Sequence, residues 1–155
     1  GTSADAHHIT SGPDDGAGAA AAVRSALGMA ALEPGAIGYV NAHATSTPVG
    51  DRAEIAALRN VFGDDLPSLP VSSTKSSIGH LLGAAGGVES IFTVQAVREN
   101  RLPPTLNLDQ PDDSMADLDL VPNQSRQQQV NHALCNGFGF GGVNAALLVS
   151  SVDSI

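Results

Sequence analysis

The chain has 155 residues, of which 42% are apolar and only 3% aromatic, and its formal net charge is −9. That length and apolar content suit one domain with a core of its own and exclude disorder of the whole chain. Seven basic residues against sixteen acidic ones argue against nucleic acid or an anionic membrane as partner, while leaving room for a small basic patch facing an acidic carrier.

In chain order, Gly16–Ala31 is Ala-rich with Val23, Leu27 and Ala30 on one face. This is the spacing of a helix, opened by Asp14 or Asp15 and ended by Pro34 and Gly35. Ala36–Ala42, with Ile37, Tyr39 and Val40, reads as a short strand. Pro48 marks a helix start, Asp51–Phe62 carries Ile55, Leu58 and Val61 at helical spacing, and Gly63 caps it. Leu69–Ser72 is a second short strand, and Leu81–Arg98 reads as the longest helix. Gly83, Gly86 and Gly87 in its first half each cost roughly 1 kcal/mol against Ala, so a neighbour is expected to press on that backbone. Leu102–Asp119 is a Pro/Asp-rich surface connection, and Leu118–Val121, Ala133–Gly137 and Asn144–Ser151 read as closing strands. The order implies an α/β fold with a mixed sheet. Such an order normally begins with a strand, but residues 1–13 are polar. The first strand is therefore expected ahead of Gly1, which stands where an initiator Met is expected.

Three segments carry chemistry. In Asn41–Pro48 (NAHATSTP), His43 directly follows a strand, and Thr45 and Thr47 precede a helix. That puts an imidazole and hydroxyls at the C-terminal edge of the sheet, where open α/β sheets bind ligands. Taken alone, the pattern equally describes a turn with a hydroxyl cap and an incidental histidine. In Ser72–Gly86, His80 sits at the mouth of a helix, whose roughly half positive charge disfavours imidazolium. A neutral imidazole can donate an N–H to a carbonyl oxygen, as thioester chemistry requires. Lys75, the only lysine, lies five residues earlier. Glu89, midway along an apolar helical stretch, is the charge to pair with it; the alternative is a helix-surface glutamate.

In the third segment, Cys135–Asn144, four glycines surround two phenylalanines, describing a loop that approaches something closely and can move. It lacks the GxxxxGK pattern and following helix of a phosphate-binding loop. Cys135, the only cysteine, reads as a small buried hydrophobe rather than a nucleophile. A single cysteine also rules out an internal disulfide and a cysteine-based zinc site.

Together with SADAHHIT (3–10), PVGDRAE (48–54), PPTLNL (103–108) and DLDLVP (117–122), these segments resemble the C-terminal half of the β-ketoacyl-acyl-carrier-protein synthases. The likeness is collinear over nearly the whole chain and points to the elongating, synthase II type. It implies a thiolase-like α/β fold: residues 1–155 as one domain, a mixed five-stranded sheet flanked by helices, lacking its first strand. An N-terminal half bearing the nucleophile lies outside the chain.

By this resemblance, His43 and His80 bind the malonyl thioester carbonyl and promote decarboxylation, and Lys75 orders the site with Glu89. Thr45 and Thr47 hold the phosphopantetheine arm. Phe140 is the gating phenylalanine, whose backbone N–H joins the nucleophile's own in the oxyanion hole. Asp5 and His8 form a structural and gating pair near the entrance loop. No residue here matches the family's nucleophilic cysteine. Ala44 stands where most members have Gly, a change tolerated if φ there is negative.

The implied reaction is a decarboxylative condensation of malonyl-acyl-carrier-protein with an acyl-enzyme thioester, extending a fatty acid by two carbons. The implied partners are acyl carrier protein, malonyl and acyl thioesters, the N-terminal half and a second copy in a homodimer. No metal and no cofactor is implied beyond the carrier's phosphopantetheine, and residues 1–155 alone are expected to be inactive and not stably folded. With no apolar run of 18 residues and no targeting segment, the expected compartment is the bacterial cytoplasm, or a mitochondrial or plastid matrix in a eukaryote. The alternatives are a ketosynthase or a non-catalytic chain-length partner of a polyketide synthase. The former usually reads EAHGTGT where this chain reads NAHATST, and the latter commonly loses the histidines.

Overall fold

Alternation of side chains along the central strands sets the architecture of the computed structural model, which describes residues 1–154. The elements are β1 (Thr2–Ala4), α1 (Ala17–Ala30), β2 (Tyr39–Asn41), α2 (Pro48–Phe62), β3 (Val71–Ser72), α3 (Lys75–Ile78) and α4 (Ala85–Glu99). They continue with β4 (Arg101–Leu102), β5 (Arg126–Gln127), β6 (His132–Gly139) and β7 (Val143–Ser150). Five strands form a mixed sheet in the order β1-β7-β6-β2-β3. Strand β2 runs parallel to both β3 and β6, whereas β6–β7 and β7–β1 are antiparallel. Strands β4 and β5 form a separate antiparallel pair.

Register places Tyr39, Ala133 and Val149 in one row and Val71, Val40, Leu134 and Leu148 in the next. Neighbouring rows point to opposite faces. The second row packs with Val23 and Leu27 of α1 and with Ile55, Leu58 and Phe62 of α2. The first meets Ala96 and Val97 of α4. Helices α1 and α2 thus cover one face and α4 the other. Part of the α4 side stays open, with Ile91, Val94, Val143 and Leu147 all exposed. No described helix is long and apolar enough to cross a membrane.

The helix ends follow local chemistry. Neither candidate aspartate caps α1: Gly16, left-handed at φ 62°, takes that position, and the Asp15 carboxylate just before it accepts the Ala17 N–H at 3.0 Å. Pro48 takes the first position of α2, where no helical N–H is required.

Four further expectations are corrected. A first strand lies within the chain, at Thr2–Ala4, and at the sheet's edge rather than its centre. Its burial alternates exposed–intermediate–exposed, so Thr2, Ser3 and Ala4, with no large apolar side chain, suffice for an edge strand held by backbone pairing. Leu118–Val121 runs beside β3, with Val71 N donating to Asp119 O at 2.8 Å, but is not a strand. Val121 turns left-handed (φ 46°) and breaks the extended run. Helix α4 begins at Ala85 rather than Leu81, because Leu82 is itself left-handed (φ 52°), and α2 equals it at 15 residues. Finally, no atom within 4 Å faces Gly83, Gly86 or Gly87, whose side of the helix is open.

Candidate active site

Parallel pairing of β2 and β3 brings their C-terminal ends together, with Asn41 opposite Ser72. The segment after β2 carries His43, and the one after β3 carries Lys75 and then His80. The two imidazoles meet edge to face, ring centroids 5.6 Å apart and planes at 88°. Phe138 of β6 lies 5.7 Å from the His43 ring. These groups line a cleft of about 930 Å³ together with Thr45, Thr47 and Phe140.

His43 is half-buried, and its pKa falls from 6.5 to about 4 through burial, then the nearby Lys75 charge and His80. It is a neutral imidazole across the ordinary pH range. The exposed His80 accepts the Leu82 N–H on Nδ1 at 3.2 Å. A neutral ring so placed carries its proton on Nε2 and offers it as a donor.

Behind the histidines, Lys75 Nζ lies 2.6 Å from Glu89 Oε1, with side-chain exposures of 5% and 2%. Glu89 is therefore not a surface glutamate. Asn41, fully buried, holds this arrangement: Nδ2 donates to the Glu89 carbonyl and to Thr93 Oγ1, both at 3.2 Å. Its Oδ1 accepts from Thr74 Oγ1 at 3.3 Å. Ser73 Oγ donates to the Ala44 carbonyl at 2.8 Å, joining the two histidine-bearing segments.

The remaining candidates lie around the mouth. Thr45 and Thr47 place their hydroxyls 3.2 Å apart. The left-handed residue of their loop is Ser46 (φ 64°), not Ala44. Phe140 is 78% exposed at the tip between β6 and β7. Asp5 clasps that turn: its N–H donates to Gly142 O at 2.7 Å and its carboxylate accepts from Asn144 Nδ2 at 2.9 Å. His8 is exposed and turned onto its own loop, where it accepts the Thr10 N–H at 3.2 Å. The structure thus brings His43, His80, Lys75, Glu89 and the threonines together, sets Phe140 and Asp5 at the rim, and leaves His8 outside the cleft.

Sequence reasoning passed over Glu54 and Asn136. Glu54 is 3% exposed and accepts the N–H groups of His43 and Ala44 at 3.0 and 2.8 Å and Asn136 Nδ2 at 3.0 Å. Burial pushes its pKa up, and these three donors pull it back. The one signal was an acid at i, i+4 from Leu58, on the buried stripe of α2. Cys135 is buried, and burial pushes its thiol up, away from the thiolate a nucleophile needs.

Residues 1–109 match the family described as the β-ketoacyl synthase, C-terminal domain. The chain is 47% identical over 153 residues to a 3-oxoacyl-[acyl-carrier-protein] synthase 2 of Vibrio harveyi, and 44% identical over 154 residues to one of Staphylococcus aureus. Those alignments cover 98% and 99% of this chain but 37% of either relative. A β-ketoacyl synthase from Burkholderia phymatum superposes with a TM-score of 0.91 at 39% identity, over 98% of this chain and 36% of that one. A type II polyketide ketosynthase, solved in complex with its acyl-carrier protein, superposes at 0.94 with 33% identity, over 98% and 37%. With this family match covering more than half its length and a fold shared with solved ketosynthases, the chain belongs to the β-ketoacyl synthase family and corresponds to its C-terminal domain.

Proposed function

We propose that the protein to which this chain belongs catalyses the decarboxylative condensation of malonyl-acyl-carrier-protein with an acyl-enzyme thioester, extending fatty acids by two carbons. The observation that carries this reading is the contact of His43 and His80 at one sheet edge, 5.6 Å between rings. Both can act as neutral donors. Loss of CO₂ from a malonyl thioester leaves an enolate, and charge develops on its oxygen. Two imidazole N–H groups aimed at that oxygen stabilise it without reorganising solvent, and one such donor is typically worth ~3–4 kcal/mol. Thr45 and Thr47 line the route for the pantetheine arm, and Phe140 is placed to gate the acyl thioester. Lys75 and Glu89 hold the site's electrostatics, while Asp5 steadies the gating turn and His8 its flanking loop. The carrier's own phosphopantetheine is the only prosthetic group this chemistry asks for.

The nucleophilic cysteine in this reading comes from an N-terminal half of the same protein. The exposed apolar residues Ile91, Val94 and Leu147 on the α4 side, together with the open glycines at its start, support a large partner surface there. The higher identity to fatty-acid synthases (47%) than to polyketide ketosynthases (33%) favours the fatty-acid substrate over a polyketide one. The test is the full-length protein with malonyl- and acyl-carrier protein. Release of CO₂ and a product longer by two carbons are expected; neither appearing rejects the reading.

A further inference from the structure

The segment that leaves β3 is held from two sides. Inside, Lys75 pairs with Glu89. Outside lies the stretch 103–106 (PPTL), bound to it through three hydroxyls. Ser72 Oγ donates to the Pro103 carbonyl at 2.7 Å, which leaves it to accept the Tyr39 hydroxyl at 2.8 Å. Thr105 Oγ1 accepts the N–H of Ser73, itself only 7% exposed, at 3.1 Å. Ser76 Oγ accepts the Leu106 N–H and gives its own proton to the Ser73 carbonyl, both at 2.8 Å. Ser73 in turn donates its hydroxyl to the carbonyl of Ala44, the neighbour of His43, at 2.8 Å.

Thr105 is itself clamped. Its N–H donates to Val121 O and its carbonyl accepts the Asn123 N–H, both at 2.9 Å. Val121 (φ 46°) and Asn123 (φ 60°) are both left-handed. For a buried, β-branched valine that backbone is rare, and it persists only where the surrounding structure over-determines it. The strain thus falls on the residue whose carbonyl holds Thr105.

We propose that Thr105 is a positioning residue for the histidine pair: its hydroxyl oxygen fixes Ser73, and Ser73 spaces the segment of His43 from the one that runs through α3 to His80. The inference rests on the condensing role of the two histidines proposed above. Thr105 touches no reacting atom and acts through Ser73. The Ser73 N–H is bound to Thr105, its hydroxyl to the His43 segment, and its carbonyl to Ser76 in α3. A shift of Ser73 therefore moves the two histidine segments against each other, and one enolate oxygen needs both donors within hydrogen-bond distance. Valine fills the space of threonine but offers no acceptor, so the Ser73 N–H loses its partner. Serine keeps the oxygen and drops only a methyl.

The test uses the full-length protein and two kinds of readout. In Thr105→Val, kcat for CO₂ release from malonyl-carrier protein is expected to fall about 10²-fold, the size of effect that small misplacement of a catalytic group produces. KM for the carrier and the rate of acyl-enzyme formation are expected to stay near wild type. Thr105→Ser should recover most of the loss. CO₂ release at the wild-type rate in folded Thr105→Val overturns the proposal. So does an equal fall in CO₂ release and acylation, or a Thr105→Ser variant as slow as Thr105→Val. Should Thr105→Val fail to fold, Ser76→Ala carries the same rate test, because it cuts the next bond along the same stretch. The second readout needs no activity: amide exchange at Ser73 should quicken in Thr105→Val and not in Thr105→Ser, and unchanged protection in Thr105→Val overturns the positioning role. A wild-type enzyme that releases no CO₂ rejects the condensing role itself, whatever the exchange data show.

Discussion

Lys75 and Glu89 meet at 2.6 Å with both side chains almost sealed from water. Neither charged atom has another hydrogen-bonding partner. Removing one member leaves the other charged and buried, which typically costs ~3–5 kcal/mol, whereas replacing both by apolar groups of similar size is often neutral. Lys75→Met and Glu89→Leu are therefore each expected to lower the melting temperature of the full-length protein sharply, and the double variant to regain most of it. Activity should not return with stability, because the Lys75 charge is one of the causes that keep His43 neutral. A double variant as unstable as the singles shows that the pair is not coupled as described.

His43→Ala and His80→Ala should abolish CO₂ release from malonyl-carrier protein while leaving acylation of the nucleophile largely intact. In the proposed mechanism each variant removes one donor from the enolate oxygen, and acyl transfer draws on neither imidazole. Assaying the two half-reactions separately decides the matter. Normal CO₂ release in both variants removes the histidines from the mechanism.

The pKa of His43, lowered from 6.5 to about 4 chiefly by burial, has a sign that can be checked. An imidazole that is harder to protonate in the folded state contributes stability above pH 6.5, and that contribution is lost as pH falls from 6.5 toward 4. The linked change is on the order of 3 kcal/mol. An NMR titration of the His43 ring, assigned by comparison with His43→Ala, should show it neutral down to about pH 5. A midpoint near 6.5 is the outcome that contradicts the buried setting.

Much of this site was legible in the sequence because its chemistry is concentrated at strand ends. His43 comes two residues after the apolar run of β2, His80 lies in the segment that leaves β3, and parallel strands place such ends on one edge. Lys75 and Glu89 stood out as isolated charges in poor company. Glu54, Asn41 and Asn136 did not, because a polar residue buried among backbone amides looks in sequence like any other polar residue. Nor did Thr2–Ala4, since an edge strand of three residues needs no hydrophobic alternation. The glycines of α4 were read as signs of a close neighbour, yet within this chain they face open space.

Cys135 is expected to be structural. It sits in β6 on the α4 side, buried, with the hydroxyls of Thr93 and Ser90 near its thiol. Cys135→Ser should keep condensation and lose ~1 kcal/mol of stability from burying a hydroxyl. Labelling of Cys135 by a thioester-directed electrophile, in preference to a cysteine elsewhere in the full-length protein, contradicts this assignment.

Gly139 at the end of β6 and Gly142 in the turn before β7 should differ sharply in their tolerance of alanine. Gly142 has φ 78°, and a Cβ there would overlap the Asp5 carbonyl, the residue that clasps the turn. Gly139 has no such φ, and the nearest atom to a Cβ is Val143 O at 3.7 Å, ordinary contact. Left-handed backbone alone costs an alanine ~1–2 kcal/mol, and the overlap with a backbone atom cannot be relieved by a side-chain rotation. Gly142→Ala is therefore expected to lower stability by more than that figure and to detach Asp5 from Asn144. Gly139→Ala should change stability by less than ~1 kcal/mol, the ordinary range for a strand glycine. Thermal melts of the two full-length variants make the comparison. If Gly142→Ala proves no more destabilising than Gly139→Ala, the turn does not depend on its close approach to Asp5, and the rim of the cleft is held by something other than this contact.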